Sequence, residues 1–382
     1  MRKIIIASDS FKGSLTSRQV GEAASRGIAA VMPEAVCEIV PVADGGEGTV
    51  ESVVSALGGE LISVVVTDPI GKPVEAVYGV CGETAVIEMA AASGLPLVAE
   101  EDRNPLITTS FGTGELIRDA LKRGCKKILI GIGGSATNDA GVGMLCALGF
   151  RFTDAEGKDV GRRGGGELSG IVKIDSSGML PQLKDVEFIV ASDVDNPLTG
   201  PRGASMVFSM QKGADEEMAT LLDKSLESFA KVVVKENGKD FSDIKGAGAA
   251  GGMGFAFLSF LNARMEKGIE MVLEAVDFDS KLSDADLVIT GEGRMDMQTI
   301  MGKTPFGVMT HAHKSGVPVI AICGSVESEA VTMLLEEGFR DVVPIVKGEI
   351  DLKEALKKEV ASKNVEQTVA NILSGYIQND VE

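Results

Sequence analysis

Basic side chains are scarce in this sequence of 382 residues. Lysine and arginine together number 37, against 56 aspartates and glutamates, which gives a formal net charge of −19. A chain this acidic repels nucleic acid and anionic membrane surfaces unless one local face reverses the sign. The sequence contains no basic cluster long enough to do so. We therefore expect neither a nucleic-acid partner nor a membrane partner.

Long apolar runs are also missing. The longest stretch without a charged residue is the 18 residues between Lys245 and Arg264, and five of them are glycines. This composition indicates a glycine loop leading into a buried helix rather than a membrane span. The apolar run Ile4–Ala7 near the amino terminus is too short for the core of a signal peptide. We expect a cytoplasmic protein.

Cysteine and histidine are rare as well. The five cysteines are odd in number and form no Cys-x-x-Cys pair, so neither a disulfide framework nor a zinc site is indicated. The two histidines, His311 and His313, lie two residues apart in a predicted helix and so do not share a face. That spacing argues against a zinc pair or a catalytic triad. Since no Gly-x-Ser-x-Gly motif occurs either, covalent hydrolase chemistry is disfavoured.

Glycine, by contrast, is abundant, with 47 residues. Many glycines are typical of a chain with tight turns and with backbone segments that approach a ligand closely. Hydrophobic residues make up 44% of the chain and charged residues 24%. These fractions are ordinary for a globular protein with a real core.

The two ends of the chain alternate between strand and helix patterns. This alternation predicts a parallel sheet with right-handed crossovers. The predicted elements are strands at Lys3–Ser8, Glu38–Val42, Asp286–Thr290, Val317–Cys323 and Asp341–Val346, and helices at Ser17–Met32, Gly48–Leu57, Pro305–Ser315, Glu327–Glu337 and Asp351–Leu373.

The middle of the chain has a different pattern. Strands at Glu60–Thr67 and Val74–Val80 flank a turn that contains Pro69 and Gly71, and a second hairpin is predicted around Asp154–Gly157. This region therefore indicates a mixed α/β fold with antiparallel pieces. Its other predicted elements are a strand at Lys126–Ile132, a helix at Asn138–Leu148 and a strand at Glu187–Ser192.

Two loops near the amino terminus carry candidate functional residues. In Asp9–Ser14, Lys12 could neutralise a transferring phosphate and the carboxylate could hold Mg²⁺. A strand end followed by a capping serine explains that loop equally well. Asp44 and Glu47 lie three apart among glycines and could bind a divalent cation or a hydroxyl group. Their spacing also fits the capping of the next helix.

Two further loops follow predicted strands in the middle of the chain. Gly131–Asp139 could cradle an anion at a helix N-terminus, and it matches the G-x-G-x-x-A form of the dinucleotide fingerprint. A tight turn accounts for it as well. Asp193, directly after another strand, is a candidate general base or metal ligand, while a turn before Pro197 is the alternative.

Two glycine motifs fail their context tests. Gly246–Gly251 is a literal G-x-G-x-x-G but follows no apolar strand. Gly302-Lys303-Thr304 would be a P-loop only with glycine at the position of Met297. Taken together, the glycine loops and acidic strand ends suit magnesium–nucleotide chemistry, but their spacing alone does not name a substrate.

At these loops the sequence resembles the glycerate kinase family of the class II type. Six segments match in family order across nearly the whole chain, and Ala140, where the family often has glycine, is a minor departure. The segments are DSFKGSLTSRQV (Asp9–Val20), PVADGGEGT (Pro41–Thr49), GIGGSATNDAGVGM (Gly131–Met144), ASDVDNPLTGPRGA (Ala191–Ala204), GAGAAGGMGF (Gly246–Phe255) and GEGRMDMQTIMGKTPFGV (Gly291–Val308).

The resemblance implies an ATP- and Mg²⁺-dependent enzyme that phosphorylates D-glycerate at the 2-hydroxyl. It also implies two domains. One is a flavodoxin- or Rossmann-like parallel-sheet domain built from both chain ends, which we place at residues 1–65 plus 285–382. The other is an inserted mixed α/β domain, which we place at residues 66–284.

Roles follow for residues of the matching motifs. Asp193 would take the proton of the glycerate hydroxyl, and Lys12 would offset charge on the transferring phosphoryl group. Arg294 would pair with the glycerate carboxylate through its guanidinium fork. The remaining candidates are Gly133, Gly134, Ser135, Thr137 and Asn138 for phosphates, Ser10, Asp296 and Gln298 for substrate, and Asp44 and Glu47 for Mg²⁺.

Two other functions stay open at this point. An NAD(P)-dependent oxidoreductase would use Gly131–Ala136 and bind nicotinamide without hydrolysing ATP. A glycerate-binding sensor would bind glycerate without turnover, although the many polar strand ends argue against it. The sequence also allows a homodimer.

Overall fold

The computed structural model describes residues 2–161, 164–346, 348 and 350–379. The strands are β1 (Lys3–Ser8), β2 (Val36–Ile39), β3 (Glu60–Thr67), β4 (Pro73–Cys81), β5 (Thr84–Glu88), β6 (Lys127–Gly131), β7 (Arg151–Thr153), β8 (Asp159–Val160), β9 (Lys173–Asp175), β10 (Glu187–Ala191), β11 (Arg264–Glu266), β12 (Leu287–Met295), β13 (Val319–Val326) and β14 (Asp341–Pro344). The α-helices are α1 (Ser17–Val31), α2 (Thr49–Leu57), α3 (Ala90–Ser93), α4 (Phe111–Lys122), α5 (Val142–Ala147), α6 (Ala204–Phe208), α7 (Glu216–Asn237), α8 (Ala249–Phe260), α9 (Gly268–Ala275), α10 (Phe278–Leu282), α11 (Thr304–Lys314), α12 (Ser328–Glu337), α13 (Leu352–Ala355) and α14 (Lys358–Asn379).

Contacts within the chain group it into two compact units. The first unit is Met1–Gly58 with Gly268–Glu382, and the second is Gly59–Lys267. β3 therefore belongs to the second unit, because it pairs with β4 along its whole length. The sequence-based division at 65/66 instead cuts through β3, and the division at 284/285 places α9 and α10 in the inserted part.

The first unit contains a five-stranded parallel sheet in the order β14-β13-β12-β1-β2. The chain moves from β1 outward to β2 in one direction, and from β12 through β13 to β14 in the other. The strand order thus reverses between β1 and β12. In open α/β sheets, ligands bind beyond the carboxyl ends of the strands at such a reversal.

The core of the first unit joins the two ends of its sequence. Ile4, Ile6 and Ile289 of the sheet lie buried with Ile28 of α1 and Val365 of α14. Ten or more apolar side chains of this kind, at about 1.5–3 kcal/mol each, provide the main driving force for joining these elements. α1 and α14 approach so closely that a Cβ atom at Gly27 would overlap the carbonyl oxygen of Glu366.

Gly27→Ala is therefore expected to lower the free energy of unfolding by about 1–3 kcal/mol, since the added methyl group has no space between two backbones. Gly375→Ala on α14 is the matched control, because a Cβ there meets no atom within 4 Å. In that exposed helix position alanine is expected to stabilise by about 0.5–1 kcal/mol. Urea unfolding of both variants measures the difference, and equal effects of the two would contradict close α1–α14 packing.

The second unit contains a six-stranded mixed sheet in the order β11-β10-β6-β5-β4-β3 and a small antiparallel sheet β8-β7-β9. β5, β6, β10 and β11 are parallel, while β3, β4 and β5 form an antiparallel meander. Phenylalanines fill much of its core. Phe152 packs edge-on against Phe229 and Phe260, with ring centroids 5.9 and 6.4 Å apart.

The predicted fold class is confirmed: an α/β protein with a parallel sheet built from both chain ends and a mixed α/β part inserted between. Both predicted hairpins are present, the second with Asp154 N donating to Lys158 O at 3.0 Å. The stretch after Lys245 forms α8, whose part from Met253 onward is mostly buried, as expected for a glycine loop leading into a buried helix.

Five predicted elements are wrong in their bounds by three residues or more. The strand expected at Glu38–Val42 spans Val36–Ile39, and the strand expected at Val317–Cys323 spans Val319–Val326. The helix expected at Asn138–Leu148 begins only at Val142, because the Asp139 carboxylate accepts the N–H groups of Gly141 and Gly143 and holds a turn there. The strand expected to end at Thr290 continues to Met295, since the glycines of this stretch weakened the strand pattern. The single helix expected at Asp351–Leu373 is broken into α13 and α14.

Within the described ranges, the helices are all too short or too polar to cross a lipid bilayer.

Candidate functional site

A cleft of about 800 Å³ opens in the first unit where its strand order reverses. It is lined by residues that follow β1, by the ends of β12 and β13, and by residues after β14. Its size falls within the range of small-molecule sites. This cleft is the first candidate site.

The loop that carries Lys12, residues 9–15, is closed on itself. Phe11 N donates to Leu15 O at 2.8 Å, and Leu15 N donates to Phe11 O at 3.0 Å. Phe11 and Leu15 are both buried and anchor the loop in the core, while Lys12 between them is exposed and lines the cleft. The local fold thus presents one cation at the carboxyl end of β1.

Two buried carboxyl groups line the same cleft. Asp9 is 5% exposed and Glu292 is 8% exposed. Asp9 accepts hydrogen bonds from Ser10 N at 2.6 Å and Thr304 Oγ1 at 3.0 Å, while Glu292 accepts one from Thr299 Oγ1 at 2.6 Å. Burial, and then the charge of Asp44, raises the pKa of Asp9 to about 6. Burial is also the main cause that raises the pKa of Glu292 to about 7.

Titratable groups perturbed in this way, in a cleft, are typical of functional sites. The sequence pattern indicated the carboxylate of Asp9, directly after a buried strand, as a candidate for Mg²⁺ but gave Glu292 no role. Glu292 lies two residues beyond the strand predicted to end at Thr290, so its position at a strand end was a signal that could have found it. In the structure it lies inside β12, which continues to Met295.

The cleft also has further charged side chains. Arg294 pairs with Glu327 at 2.5 Å, and the Lys303 ammonium lies 3.9 Å from an oxygen of Asp296. Asp44 is half-buried and accepts a hydrogen bond from Gly46 N at 3.1 Å, so it does not cap α2, whose N-cap is Gly48. Cations and carboxylates are thus mixed on one wall of the cleft.

Another part of the lining is apolar. It consists of side chains from the end of β14 to the start of α14, namely Pro344, Ile345, Val346, Ile350, Leu352, Ala355, Leu356 and Ala361. The break between α13 and α14 places Leu356 in the cleft while Val365 of α14 lies in the core. An apolar wall beside charged groups restricts water on one side of a bound polar ligand.

The raised pKa of Glu292 predicts a pH-dependent stability. A carboxyl group whose pKa is raised in the folded state binds more protons there than in the unfolded chain, so the free energy of unfolding falls as pH rises from about 4.5 to about 7. Glu292→Gln has no titrating group at this position, so its free energy of unfolding does not fall in this way. The glutamine still offers an oxygen that accepts the hydrogen bond of Thr299. At pH 8 the variant is expected to be more stable than wild type by roughly 3 kcal/mol, and equally stable at pH 4.

Urea unfolding at pH 4, 6 and 8 measures this difference. The groups that modulate it are Asp9, Asp296 and Lys303. Glu337→Gln, an exposed change on α12, is the control and is expected to stay within about 0.5 kcal/mol of wild type. A Glu292→Gln curve parallel to that of wild type at all three pH values would rule out the buried, protonated carboxyl group.

The second unit has its own candidate site at the carboxyl ends of β6 and β10, which are adjacent and parallel. The Ser135 loop, residues 132–141, follows β6. Its backbone is fixed by hydrogen bonds from Leu95 N to Gly134 O and from Ala136 N to Ser93 O, both at 2.9 Å. Gly133 and Gly134 are exposed, whereas Ser135 is only 7% exposed.

The deeper half of the Ser135 loop is fully buried. Thr137, Asn138 and Asp139 have no exposed surface, and Asn138 Nδ2 donates to Ser205 Oγ at 3.0 Å. Asp139 also accepts hydrogen bonds from Ser110, and burial raises the pKa of its carboxyl group while these donors oppose the shift. Thr137 and Asn138 therefore support the loop from below, and Gly133–Ser135 forms its exposed face.

Glycines of α8 make this support possible. Gly251 has a φ of +66°, and a Cβ atom there would overlap the carbonyl oxygen of Thr137. Gly251 O in turn accepts the N–H of Ala140 at 3.0 Å. The glycine motif that failed as a dinucleotide fingerprint thus packs beneath the Ser135 loop.

Asp193 lies two residues beyond the end of β10 and is exposed. Its neighbour Asp195 forms an ion pair with Arg202 at 3.1 Å, and Asn196 Nδ2 donates to Arg202 O at 2.7 Å. These contacts order the segment that carries Asp193 at the end of the strand.

The structure thus groups most of the predicted site residues on two surfaces. Ser10, Lys12, Asp44, Arg294 and Asp296 line the cleft of the first unit. Glu47 and Gln298 are exposed and do not line it. Gly133, Gly134, Ser135, Thr137, Asn138 and Asp193 lie at neighbouring strand ends of the second unit.

The dinucleotide interpretation of Gly131–Ala136 lacks its structural context. A Rossmann fingerprint opens directly into a helix, whereas here α5 begins at Val142 and has only six residues. Among described residues, no group of three or more His, Cys, Asp or Glu side chains is arranged to hold a metal ion by itself.

Comparisons with known proteins agree across the whole chain. The model of the glycerate kinase family matches residues 4–376. A glycerate kinase of Bacillus subtilis (strain 168) is 52% identical over 372 residues, which cover 97% of this chain and 96% of that protein. A glycerate 2-kinase of Escherichia coli (strain K12) is 48% identical over 96% of this chain and 98% of its own length.

A solved structure agrees as well. The crystal structure of a candidate glycerate kinase 2 from Salmonella typhimurium LT2 superposes with a TM-score of 0.92 at 46% sequence identity, and the match covers 100% of both chains.

Proposed function

This chain belongs to the glycerate kinase family, and we propose that it transfers the terminal phosphoryl group of ATP to the 2-hydroxyl of D-glycerate, with Mg²⁺. Phosphorylation of glycerate follows from the family and its named members. The single observation that best supports ATP and Mg²⁺ as the reactants is the cleft at the strand reversal, because it combines cations, carboxylates and apolar side chains.

The residues of this cleft fit a magnesium–phosphate ligand. Mg²⁺ at kinase sites is held by one or two carboxylates together with phosphate oxygens rather than by a protein cage. Asp44 and Asp296 supply such carboxylates, and the buried Ser14 Oγ in the lining has no partner among the described residues. We propose Asp44 as the principal magnesium ligand; exposed Glu47 remains a weaker candidate. When bound, the ion would neutralise charge on the phosphates.

The cations of the cleft have separate proposed roles. Lys12 acts as a point charge on the phosphoryl group during transfer, a role suited to a compact ammonium. Arg294 binds the glycerate carboxylate through its fork, and because Glu327 holds it now, this role requires exchange of one carboxylate partner for another. Ser10, Asp296 and Gln298 are proposed to position glycerate.

In the second unit, Asp193 is proposed to accept the proton of the glycerate hydroxyl. The hydroxyl oxygen of glycerate then forms the new bond to phosphorus. ADP leaves with the electron pair of the broken P–O bond. The exposed backbone of Gly133 and Gly134, with Ser135, is proposed to bind phosphate, supported from below by Thr137 and Asn138.

The test is ADP release from Mg-ATP with and without D-glycerate, coupled to enolase. Enolase converts 2-phosphoglycerate, so glycerate-dependent ADP release together with an enolase signal is the expected result. ADP release without that signal would replace the 2-hydroxyl by the 3-hydroxyl. If D-glycerate has no effect on ADP release, the proposed reaction is wrong. The cytoplasmic location and the homodimer stay predictions.

A further inference from the structure

Lys212 is a lysine buried inside the second unit. Its side chain is 2% exposed, and its ammonium donates to Ser135 Oγ at 2.7 Å and to Thr137 O at 2.6 Å. A buried ammonium is strongly disfavoured unless a negative charge compensates it. Within the described part of the chain, no carboxylate forms an ion pair with Lys212. Asp139 acts on it only through longer-range electrostatics.

The surroundings of Lys212 are polar and incompletely bonded. Three buried side-chain atoms of its neighbours, Thr137 Oγ1, Asn138 Oδ1 and Ser209 Oγ, have no hydrogen-bond partner among the residues described. Buried polar atoms without partners are uncommon in native proteins. The N–H groups of Gly133, Gly134 and Ser135 likewise have no acceptor in the described ranges. This region therefore has a charge, several N–H and O–H donors and one amide oxygen that the described residues do not satisfy.

Ser135 connects the buried lysine to the exposed face of the loop. Because its Oγ accepts a hydrogen bond from Lys212, its own O–H is free to donate to a ligand. Ser135 is 7% exposed and follows the exposed Gly133 and Gly134. An anion placed at these three residues would meet N–H and O–H donors, with the ammonium behind them.

We propose that Lys212 is a positioning residue that supplies, through Ser135, the positive charge that binds an anionic group of a substrate at Gly133–Ser135. This inference rests on the proposed function, from which the two available anions follow: the carboxylate of glycerate and the phosphates of the nucleotide. Their shared chemistry is an oxyanion that accepts several hydrogen bonds.

The electrostatics of the site make this charge sensitive to pH. Burial lowers the pKa of Lys212 to about 7, and the charge of Asp139 opposes the shift. Arg103 also lies nearby, since its backbone is close to Gly213. Below pH 7 the ammonium is already charged. Above pH 7 an anion can bind well only if Lys212 takes up a proton, so its affinity falls by up to about tenfold per pH unit.

The experiment measures binding of D-glycerate and of ADP to the full chain by calorimetry at pH 6.5, 7.5 and 8.5. Wild type is expected to lose up to about tenfold in affinity for one of the two ligands between pH 7.5 and 8.5. Lys212→Arg keeps its positive charge from pH 6.5 to 8.5. Its affinity for the ligand is therefore expected to stay constant between pH 7.5 and 8.5. Lys212→Met is expected to bind at least about tenfold more weakly at pH 6.5 and to show no pH dependence.

The ligand that responds identifies the anion: glycerate indicates a carboxylate and ADP indicates a phosphate. Ser135→Ala removes the hydroxyl that connects Lys212 to the ligand, and it is expected to weaken binding of the same ligand. Ser225→Ala, which removes another buried hydroxyl in this unit, is the control and leaves affinity unchanged.

Affinities of Lys212→Met equal to those of wild type would overturn the inference while leaving the proposed function intact. If that variant does not fold, Lys212→Arg decides, because a pH dependence equal to that of wild type overturns the inference too. Failure of the proposed function is seen separately, as wild-type protein that releases no ADP in response to glycerate.

Discussion

Asp193→Asn is expected to lower kcat for glycerate phosphorylation by about 10²- to 10⁴-fold, the usual contribution of a general base. The amide has nearly the shape of the carboxylate but cannot accept a proton from the glycerate hydroxyl. Asp193 is exposed at the carboxyl end of β10, where the chain leaves the sheet, so the substitution leaves the core of the second unit unchanged. KM for glycerate is expected to change much less than kcat.

Asp195→Asn provides the matched control for this experiment. It removes a carboxylate two residues away that is already paired with Arg202 at 3.1 Å. We expect kcat within about threefold of wild type, because exposed ion pairs contribute little. Steady-state kinetics of both variants with saturating Mg-ATP measure the contrast. Near wild-type turnover by Asp193→Asn would remove Asp193 from the role of base.

Lys12→Ala is expected to lower kcat by about 10²- to 10³-fold, as loss of one preorganised charge at a reacting group does. The closed loop between Phe11 and Leu15 holds Lys12 at the cleft, and within the described ranges no side chain is paired with its ammonium. Its charge is therefore available to a ligand, because no structural ion pair neutralises it. Lys12→Arg, which keeps the charge but changes its shape, is expected to lose less than Lys12→Ala.

Lys363→Ala is the control for the change in net charge. Lys363 is an exposed lysine on α14 of the same unit, and its loss is expected to leave kcat unchanged. Quenched-flow measurement of a single turnover separates phosphoryl transfer from product release. An unchanged transfer rate in Lys12→Ala would contradict the proposed role of this charge.

Elements defined by local pattern were predictable. Strands at Lys3–Ser8 and Glu60–Thr67 have the predicted bounds, because buried or alternating apolar residues determine them directly. The strand-end position of Lys12 and Asp193 was predictable for the same reason. In a parallel sheet the residue after an apolar run must lie at one edge.

Features that depend on tertiary contacts were not predictable. Ala140 has a φ of +51°, and this left-handed residue helps to delay the start of α5. Its conformation depends on packing against Gly252 and on the hydrogen bond to Gly251 O, both more than a hundred positions along the chain. The burial of Lys212 and of Glu292 is likewise determined by segments distant in the sequence. No local pattern therefore predicted that either side chain is buried.

The pairing of β1 has a consequence for synthesis of the chain on the ribosome. β1 lies between β2 and β12, and β12 begins only at residue 287. At about 5–20 residues per second, the nascent chain waits on the order of 10–50 seconds for that partner. The second unit, a continuous segment from Gly59 to Lys267, emerges completely in this interval. During this time β1, which contains the apolar residues Ile4, Ile5 and Ile6, lacks its partner on the β12 side. The growing polypeptide is therefore most exposed to aggregation, and most dependent on chaperones, just before its last quarter is translated.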